Sequence, residues 1–562
     1  MFSMDEGYYR ELVSFMLRNK PGKEELSKEK TRLCKKHHLR AIPTDIQLLL
    51  QSTAKDLHLI RRYIVTKPQR SISGVAPVAI MSRPHKCPHG TCTYCPGGPL
   101  SPFGNVPQSY TGKEPTTRRA IRNRFDPYLQ VMNRLEQYIV TGHVPEKVDL
   151  IIMGGTLPSL SVDYQEEFVA YSFKAMNDFS AIFFRNGDFD LDKFKEFFEL
   201  PGEVEDKARE ERLHAKLLAA KGKADLVDEQ MRNELSDIRC IGLTIETKPD
   251  YAMVEQVEFM LRLGCTRVEL GIQSTYEHIL RKVNRGHGIK ESVLATKILK
   301  DLGFKINYHM MPGLPDVSLK EDLESLKEIF RNPDYRPDML KIYPCMVLKG
   351  TELYEDWKEG RFHPMNAKTA ADLIAEFLPF VPEYCRMMRI QRDIPTYMTE
   401  AGVERTNLRQ YVEKIQAEKG IACRDIRARE IGRSQLRDIT GYGIRITEYD
   451  ASGGKEFFIQ AEKEDKLIGF CRLRFPSFHL RPEIAKKSAL IRELHVYGTA
   501  TALGEEGDIQ HKGIGKELLV RAEETARQHG YDKLVVISGI GVREYYRRLG
   551  YSKEGPYMVK NL

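Results

Sequence analysis

None of the 562 residues falls in an apolar run of 18 or more, so no segment reads as a membrane-spanning helix. The opening Met1-Phe2-Ser3-Met4-Asp5-Glu6-Gly7 lacks a basic stretch followed by an apolar one, so no secretory signal is expected and a cytoplasmic location is. Cysteine is sparse: the ten residues are scattered apart from one triplet, which is the usage of a reducing compartment and not a disulfide framework. Neither sign of charge dominates. The net +8 permits an anionic partner without requiring one. What is present is 41% hydrophobic and 30% charged residues, over a length that implies three or four globular domains.

The triplet is Cys87-Pro88-His89-Gly90-Thr91-Cys92-Thr93-Tyr94-Cys95, a C-x4-C-x2-C spacing with an aromatic before the third cysteine. Three thiolates on a short Gly/Pro-rich loop can hold three corners of a 4Fe–4S cluster and leave one iron open for chemistry. The same steps occur in structural zinc loops. Residues 71–350 help to separate the two. They alternate strand and helix patterns, with strands expected at 75–82, 148–155, 239–247, 267–274, 305–311 and 339–347. Six β-α repeats point to a parallel sheet, either a barrel or an open doubly wound sheet. The cysteine loop follows the first strand, and later strands end in Gly154-Gly155, Glu246-Thr247, Gln273-Ser274 and His309. Ligands in parallel α/β folds bind beyond the strand C-termini, so this convergence favours a catalytic cluster over structural zinc. The loop is one residue longer than the C-x3-C-x2-C commonest among radical S-adenosylmethionine (SAM) enzymes.

The flanks differ in character. Residues 1–70 are helical and basic, with Lys28, Lys30, Arg32, Lys35, Lys36, Arg40, Arg61, Arg62, Lys67 and Arg70 suited to a tRNA backbone or to a solvated face. The barrel-like unit is expected over 71–395, with a charged helical excursion at 180–237 to which no chemistry is assigned. A linker at 396–435 leads to a β-rich unit at 436–562. There, Gln510-His511-Lys512-Gly513-Ile514-Gly515-Lys516 fits Q/R-x-x-G-x-G/A and resembles the acetyl-CoA loop of GNAT acetyltransferases. Small residues let the backbone close on a pyrophosphate at a helix N-terminus. The acidic stretch Gly504–Asp508, within Thr499–Gln510, is read as an ordinary hairpin loop or as a tRNA-sensitive gate over the CoA site. Cys345, Cys385 and Cys423 have no partner nearby in sequence. They are read as unrelated buried thiols, or, if folding gathers them with His309 or a water, as a zinc site tying the domains.

A radical SAM unit joined to a GNAT unit is an unusual pairing. On Pro84-His85-Lys86-Cys87-Pro88-His89, Tyr94-Cys95-Pro96-Gly97-Gly98, Gln108–Thr116, Asn284-Arg285-Gly286-His287, Arg492–Gly498 and Gly555–Lys560, the chain resembles the Elp3 family, the catalytic subunits of Elongator, over nearly its full length. The short gap between the first two cysteines looks like the archaeal or bacterial form. The resemblance implies an α/β multidomain protein: a partial (β/α)6 radical SAM barrel, a C-terminal GNAT α+β domain and a small helical N-terminal domain. It implies carboxymethylation of wobble uridine 34 in the tRNA anticodon stem-loop, giving 5-carboxymethyluridine with release of 5′-deoxyadenosine, methionine and CoA. A 4Fe–4S cluster, S-adenosylmethionine, acetyl-CoA as cosubstrate and an electron donor would be needed, and homodimer formation stays open. Cys87, Cys92 and Cys95 would ligate the cluster. Gly154, Gly155, Glu246 and Gln273 would line the SAM pocket, and Lys147 would reach acetyl-CoA from the barrel. The strand Glu493-Leu494-His495-Val496 would pair with pantetheine. Gln510, Gly513, Ile514, Gly515 and Lys516 would hold the pyrophosphate, and Tyr545 and Tyr546 would lie on the helix that brings a hydroxyl, that of Tyr546, near the thioester. The competing readings are a protein lysine (histone-type) acetyltransferase with a structural iron–sulfur domain, and a non-catalytic tRNA-binding scaffold.

Overall fold

A computed structural model of the chain describes residues 5–64, 66, 74–202, 206–405, 407–434, 436, 438–497 and 513–562. The N-terminal unit is four helices, Glu6–Asn19, Lys23–Lys36, Asp45–Gln51 and Ala54–Ile64. Asp5 and Thr44 cap the first and third through side-chain oxygens, and Tyr8, Leu12 and Met16 form a buried stripe at i, i+4 spacing. Much of its basic charge is neutralised locally. Lys28 pairs with Glu24, Lys30 with Asp45, Arg32 with Glu29 and Lys36 with Glu11. Lys35 and Arg40 are exposed and have no ion pair among the described residues. Lys67 and Arg70 lie outside the described residues.

The central sheet has seven strands, all parallel and in sequence order: β1 (Val75–Met81), β2 (Lys147–Met153), β3 (Arg239–Thr247), β4 (Arg267–Gln273), β5 (Lys305–Met310), β6 (Met339–Ile342) and β7 (Arg386–Ile390). Sequential parallel order with helical crossovers is a half-barrel. Six strands were expected, and the seventh is a correction: Arg386-Met387-Met388-Arg389-Ile390 carries two arginines and did not read as a strand, yet it pairs parallel with β6, with a register shift between Leu340 and Lys341. The sixth is also shorter than expected. Val347–Leu348 leaves the sheet and pairs antiparallel with Thr399–Ala401. In β4, Arg267-Val268-Glu269-Leu270-Gly271-Ile272-Gln273 alternates with period 2, so the apolar residues share one face and the charged ones the other. The insert is more than a surface excursion. The helix Val162–Phe183 and the segment after it bury Phe179, Phe183, Phe194 and Phe198 in a common aromatic cluster.

The C-terminal sheet comprises β8 (Gly443–Ala451), β9 (Gly454–Lys463), β10 (Lys466–Phe475), β11 (Ser488–Val496), β12 (Lys533–Val536), β13 (Ser552–Glu554) and β14 (Tyr557–Asn561), in the order β8-β9-β10-β11-β12-β14-β13. Only the β11–β12 pairing is parallel.

This unit docks against the N-terminal ends of the barrel strands. Gly539 sits where a Cβ would lie 2.1 Å from the Ile241 carbonyl oxygen at the base of β3, so only glycine fits. The contact between the units also holds a buried network of four cations and four carboxylates: Lys300, Arg472, Arg474 and Arg492 with Asp301, Asp338, Glu456 and Glu493. Asp338, which precedes β6, accepts from Arg492 of β11 at 2.8 Å. Asp301 accepts from Arg474 at 2.8 Å and from Ser477 at 2.8 Å. Equal numbers of each charge satisfy one another where water cannot reach, which fixes the relative placement of the two units.

Candidate active site

The cysteine loop lies at the C-terminal end of β1 and is held by residues of neighbouring loops. Gln108 accepts from the Cys87 backbone N–H and donates to the Gly90 carbonyl at 3.4 Å. Asn284 donates to the Thr91 carbonyl at 2.8 Å. The thiols themselves have partners. The Ser109 backbone N–H donates to Cys95 Sγ at 3.2 Å, and Arg285 reaches Cys92 Sγ at 3.7 Å while donating to the Gly271 carbonyl at 2.8 Å. Lys248 donates to His89 Nδ1 at 2.9 Å, so His89 Nε2 carries the hydrogen that faces Cys92 Sγ at 3.4 Å. Burial raises the Cys87 thiol and pushes that of Cys95 up to about 11, with the neighbouring Cys92 adding to it.

The donor set fits an iron–sulfur cluster better than one zinc ion. The three sulfurs are not all within 4.8 Å of one another, so they do not converge on a single ion. Their N–H and guanidinium contacts are of the kind that stabilise and tune thiolate-bound clusters.

The cysteine loop after β1 and residues of the other six strands line the cleft, most of them at strand C-terminal ends. It is lined by Cys87 and Cys92, by Met153 and Gly155, by Glu246, by Gly271 and Gln273, by His309, by Lys341 and by Arg389. Of the residues expected to bind SAM, Gly155, Glu246 and Gln273 line it directly. Gly154 lies one residue back, packed on Ser82. Gly154 and Gly155 both have left-handed backbone, with φ of 113° and 98°, which opens their peptide groups toward a ligand. The Gln273 amide oxygen is buried without a partner, an acceptor that suits a ligand bearing amino or hydroxyl groups.

Deeper in the barrel the polar faces of the strands form a charged column. Glu269 accepts from His309 Nε2 at 2.8 Å and from Lys341 Nζ. Lys341 also lies 3.7 Å from Glu246, whose other oxygen accepts from Tyr110 at 3.1 Å. Burial alone would raise the Glu269 carboxyl, but Lys341 and His309 hold it well below the usual carboxylate range. Below it, Arg267 pairs with Asp149 at 2.9 Å, and the fully buried Asn307 has neither amide atom partnered. A barrel interior is ordinarily packed with branched apolar residues. Here it is polar toward the docked C-terminal unit, where Glu493 lies near Lys305 and Arg267.

On that unit, β11 pairs with β12 only from Ser488 to Ile491, so Glu493, Leu494, His495 and Val496 have no strand partner on that side. The edge opens beside the helix Ile514–Gln528, capped by Gly513 at φ 82°. Gly515 and the exposed Lys516 lie in its first turn, with the Tyr545 hydroxyl 3.1 Å from where a Gly515 Cβ would stand. Tyr546 is 5% exposed and packed on Tyr551, whereas Tyr545 is 37% exposed, so the more accessible hydroxyl is that of Tyr545. Lys147 begins β2, in register with Val75 and Arg239. It therefore sits at the end of the barrel that meets the C-terminal unit, about 20 Å along the strand from the cleft. Gln510 and the expected gate Thr499–Gln510 lie outside the described residues.

Of the two readings of Cys345, Cys385 and Cys423, the structure agrees with unrelated thiols and not with a shared zinc site. Among the described residues Cys345, Cys385 and Cys423 do not form a ligand cluster, and His309 belongs to the group with Glu246 and Glu269. Cys423 donates instead to Asp425 at 3.2 Å, and Cys345 is buried against the cysteine-loop cluster. Sequence reasoning missed Tyr110, Lys248, Glu269, Lys341, Arg389 and Arg392, all of which line the cleft. The period-2 charge in β4 was a signal that could have found Glu269.

Comparison with known proteins identifies a radical SAM part and a GNAT part. Residues 81–329 match the radical SAM superfamily, 337–418 the radical SAM C-terminal domain and 428–551 the GNAT acetyltransferase family. The chain is 43% identical over 531 residues to a tRNA uridine(34) acetyltransferase of Methanocaldococcus infernus, covering 92% of each. It is 39% identical over 552 residues to human Elongator complex protein 3, covering 96% of this chain and 93% of that one. Among solved structures it resembles the archaeal Methanocaldococcus infernus Elp3 with an N-terminal deletion, at a TM-score of 0.71 and 39% identity, covering 87% of this chain and all of that one.

Proposed function

This chain belongs to the Elongator complex protein 3 family, and on that premise we propose that it carboxymethylates uridine 34 of tRNA at C5, using acetyl-CoA as the carbon source. The observation that carries the reading is the charged column through the half-barrel, which has the cysteine loop at one end and the open edge of β11 at the other. Cys87, Cys92 and Cys95 would hold the 4Fe–4S cluster, which when bound would supply the electron for S-adenosylmethionine cleavage and so the means to attack an unreactive methyl C–H bond. The chain's own residues bind and orient. Gly155, Glu246 and Gln273 line the SAM pocket, with Gly154 behind them against Ser82. The free backbone of Glu493–Val496 takes the pantetheine amides, and Gln510 with Gly513–Lys516 takes the pyrophosphate. Lys147 meets the CoA from the barrel side, and Tyr545, rather than the buried Tyr546, offers the exposed hydroxyl. The polar interior lined by Asp149, Arg267 and Asn307 admits the acetyl arm toward the cleft, and Tyr343 and Ile394 wall the cleft against bulk water. tRNA meets the exposed Lys35 and Arg40 of the N-terminal unit. A lysine acetyltransferase with a structural cluster would leave the buried polar column without a role.

The test is anaerobic incubation of reconstituted protein with reductant, S-adenosylmethionine, acetyl-CoA and tRNA, followed by nucleoside mass spectrometry. Carboxymethylated uridine 34 with 5′-deoxyadenosine supports the reading. Acetylated protein with unmodified tRNA would sink it.

A further inference from the structure

Carboxymethylation by this route leaves a thioester between the new carbon and CoA, and some group must activate the water that cleaves it. We propose that His309 is the general base for that hydrolysis, held by Glu269; the proposal rests on the function argued above.

The geometry fixes the tautomer. Glu269 is buried and accepts from both His309 Nε2 and Lys341 Nζ, so it is an ionised carboxylate that can only accept. The hydrogen in the His309 contact therefore sits on Nε2, and in the neutral imidazole this leaves the Nδ1 lone pair free. No described residue hydrogen-bonds Nδ1, and the ring lines the same cleft as Cys87, Cys92 and Gln273. The Tyr343 ring meets it edge-on at 5.3 Å and limits its rotation. The charged and titratable groups around it are Glu246, Glu269, Lys341 and Arg389, with Tyr110 and Tyr343. This is a base oriented by a buried carboxylate, the arrangement by which imidazoles activate water or hydroxyls.

The step balances without a further reactant. Water oxygen bonds to the thioester carbonyl carbon as Nδ1 takes a water proton. The C–S bond breaks, and the CoA sulfur leaves as a thiol with that proton. The acid then ionises to the carboxylate, releasing one proton to solvent. Glu269 is a positioning residue: it holds the tautomer before the step and the imidazolium during it.

The test uses the full-length, cluster-loaded enzyme in single turnovers with S-adenosylmethionine, acetyl-CoA and tRNA, in wild type, His309→Asn and His309→Gln. Gln keeps a donor toward Glu269 but has no basic nitrogen, so it guards against misfolding of the first variant. Both variants should form 5′-deoxyadenosine as wild type does, accumulate the CoA thioester of carboxymethyluridine on the tRNA, and release the carboxylate at least about 100-fold more slowly. Added imidazole should restore release, and the pH dependence of release in wild type should vanish in the variants. Glu269→Gln should slow the same step and again leave the thioester adduct visible. Wild-type carboxylate release in a folded His309 variant would overturn the proposal. So would loss of 5′-deoxyadenosine together with product and without adduct, because His309 would then serve the earlier step. A wild-type enzyme that leaves uridine 34 unmodified would overturn the underlying function, and only the wild-type arm reports that.

Discussion

Replacing Arg492 by Met removes the centre of the buried network that joins the two catalytic units. Arg492 donates to Asp338 at 2.8 Å, to the Phe304 carbonyl at 2.6 Å and to Glu456 at 3.1 and 3.2 Å, all in fully buried surroundings. Without it, Asp338 keeps Lys300 at 3.8 Å and Arg472 at 3.6 Å, and Glu456 keeps Lys300 at 3.5 Å and Arg474 at 2.9 Å. Three cations then face Asp301, Asp338, Glu456 and Glu493, so one buried negative charge is uncompensated. Breaking a buried pair in this way costs about 3–5 kcal/mol. The loss should appear as a lower urea midpoint followed by far-UV circular dichroism. Asp338→Asn should cost a similar amount, while the double variant should cost clearly less than the sum, because each single change strands a charge that the other removes. Additive losses, or an Arg492→Met protein within about 1 kcal/mol of wild type, would refute the claim that this network welds the units. Because Arg492 immediately precedes the open edge Glu493–Val496, weaker acetyl-CoA binding should accompany the loss of stability.

Cys95→Ala should lose cluster iron and uridine modification together while keeping tRNA affinity; modification that survives iron loss would contradict a catalytic cluster. Asp322, whose carboxyl burial pushes up to about 7, accepts from the Gly313 backbone N–H at 2.8 Å. Its folded pKa is raised, so the wild type loses stability as pH rises from about 4 to 7. Asp322→Asn should therefore be more stable than wild type by as much as about 4 kcal/mol at pH 8 and by much less at pH 4, as urea titrations at the two pH values would show. Gly515→Ala brings a Cβ to 3.1 Å from the Tyr545 hydroxyl, so acetyl-CoA should bind several-fold more weakly by calorimetry, and Tyr545→Phe should recover part of that loss. Charge reversal at Lys35 and Arg40 should weaken tRNA binding and reduce the slope of log affinity against log salt by roughly 1–2; an unchanged slope would place the tRNA surface elsewhere.

The half-barrel was legible, and the cysteine loop at its first strand end was too, because both depend on local pattern. The cysteines share one loop, and the apolar cores of β1 to β5 lie between turn signals. The charged column was not read, although Arg267-Val268-Glu269-Leu270 shows it, because alternation of charge with apolar residues reads first as a strand with one wet face. The wet face here is the barrel lumen. β7 was missed because Arg386 and Arg389 dilute the strand signal; Arg389 lines the cleft, and Arg386 donates to Glu430 and to the Tyr497 hydroxyl, each at 2.9 Å. The domain weld could not be seen at all, since Arg492 and Asp338 lie 154 residues apart and nothing local marks them as partners. The zinc alternative had no local pattern behind it. Cys345, Cys385 and Cys423 are ligand-type residues without local spacing, and folding does not gather them. Tyr546 and Tyr545 differ by one helical step, about 100°, which sends one ring into the core and the other toward the helix N-terminus.

The central claim is that the cysteine cleft and the acetyl-CoA edge act on one carbon atom. Acetyl-CoA with a fully deuterated methyl group tests it directly, with products read by mass spectrometry after turnover on tRNA. The account predicts one deuterium in 5′-deoxyadenosine and two in the carboxymethyl group on uridine 34. Deuterium-free 5′-deoxyadenosine, or three deuterium atoms carried intact into any acetylated product, would contradict it.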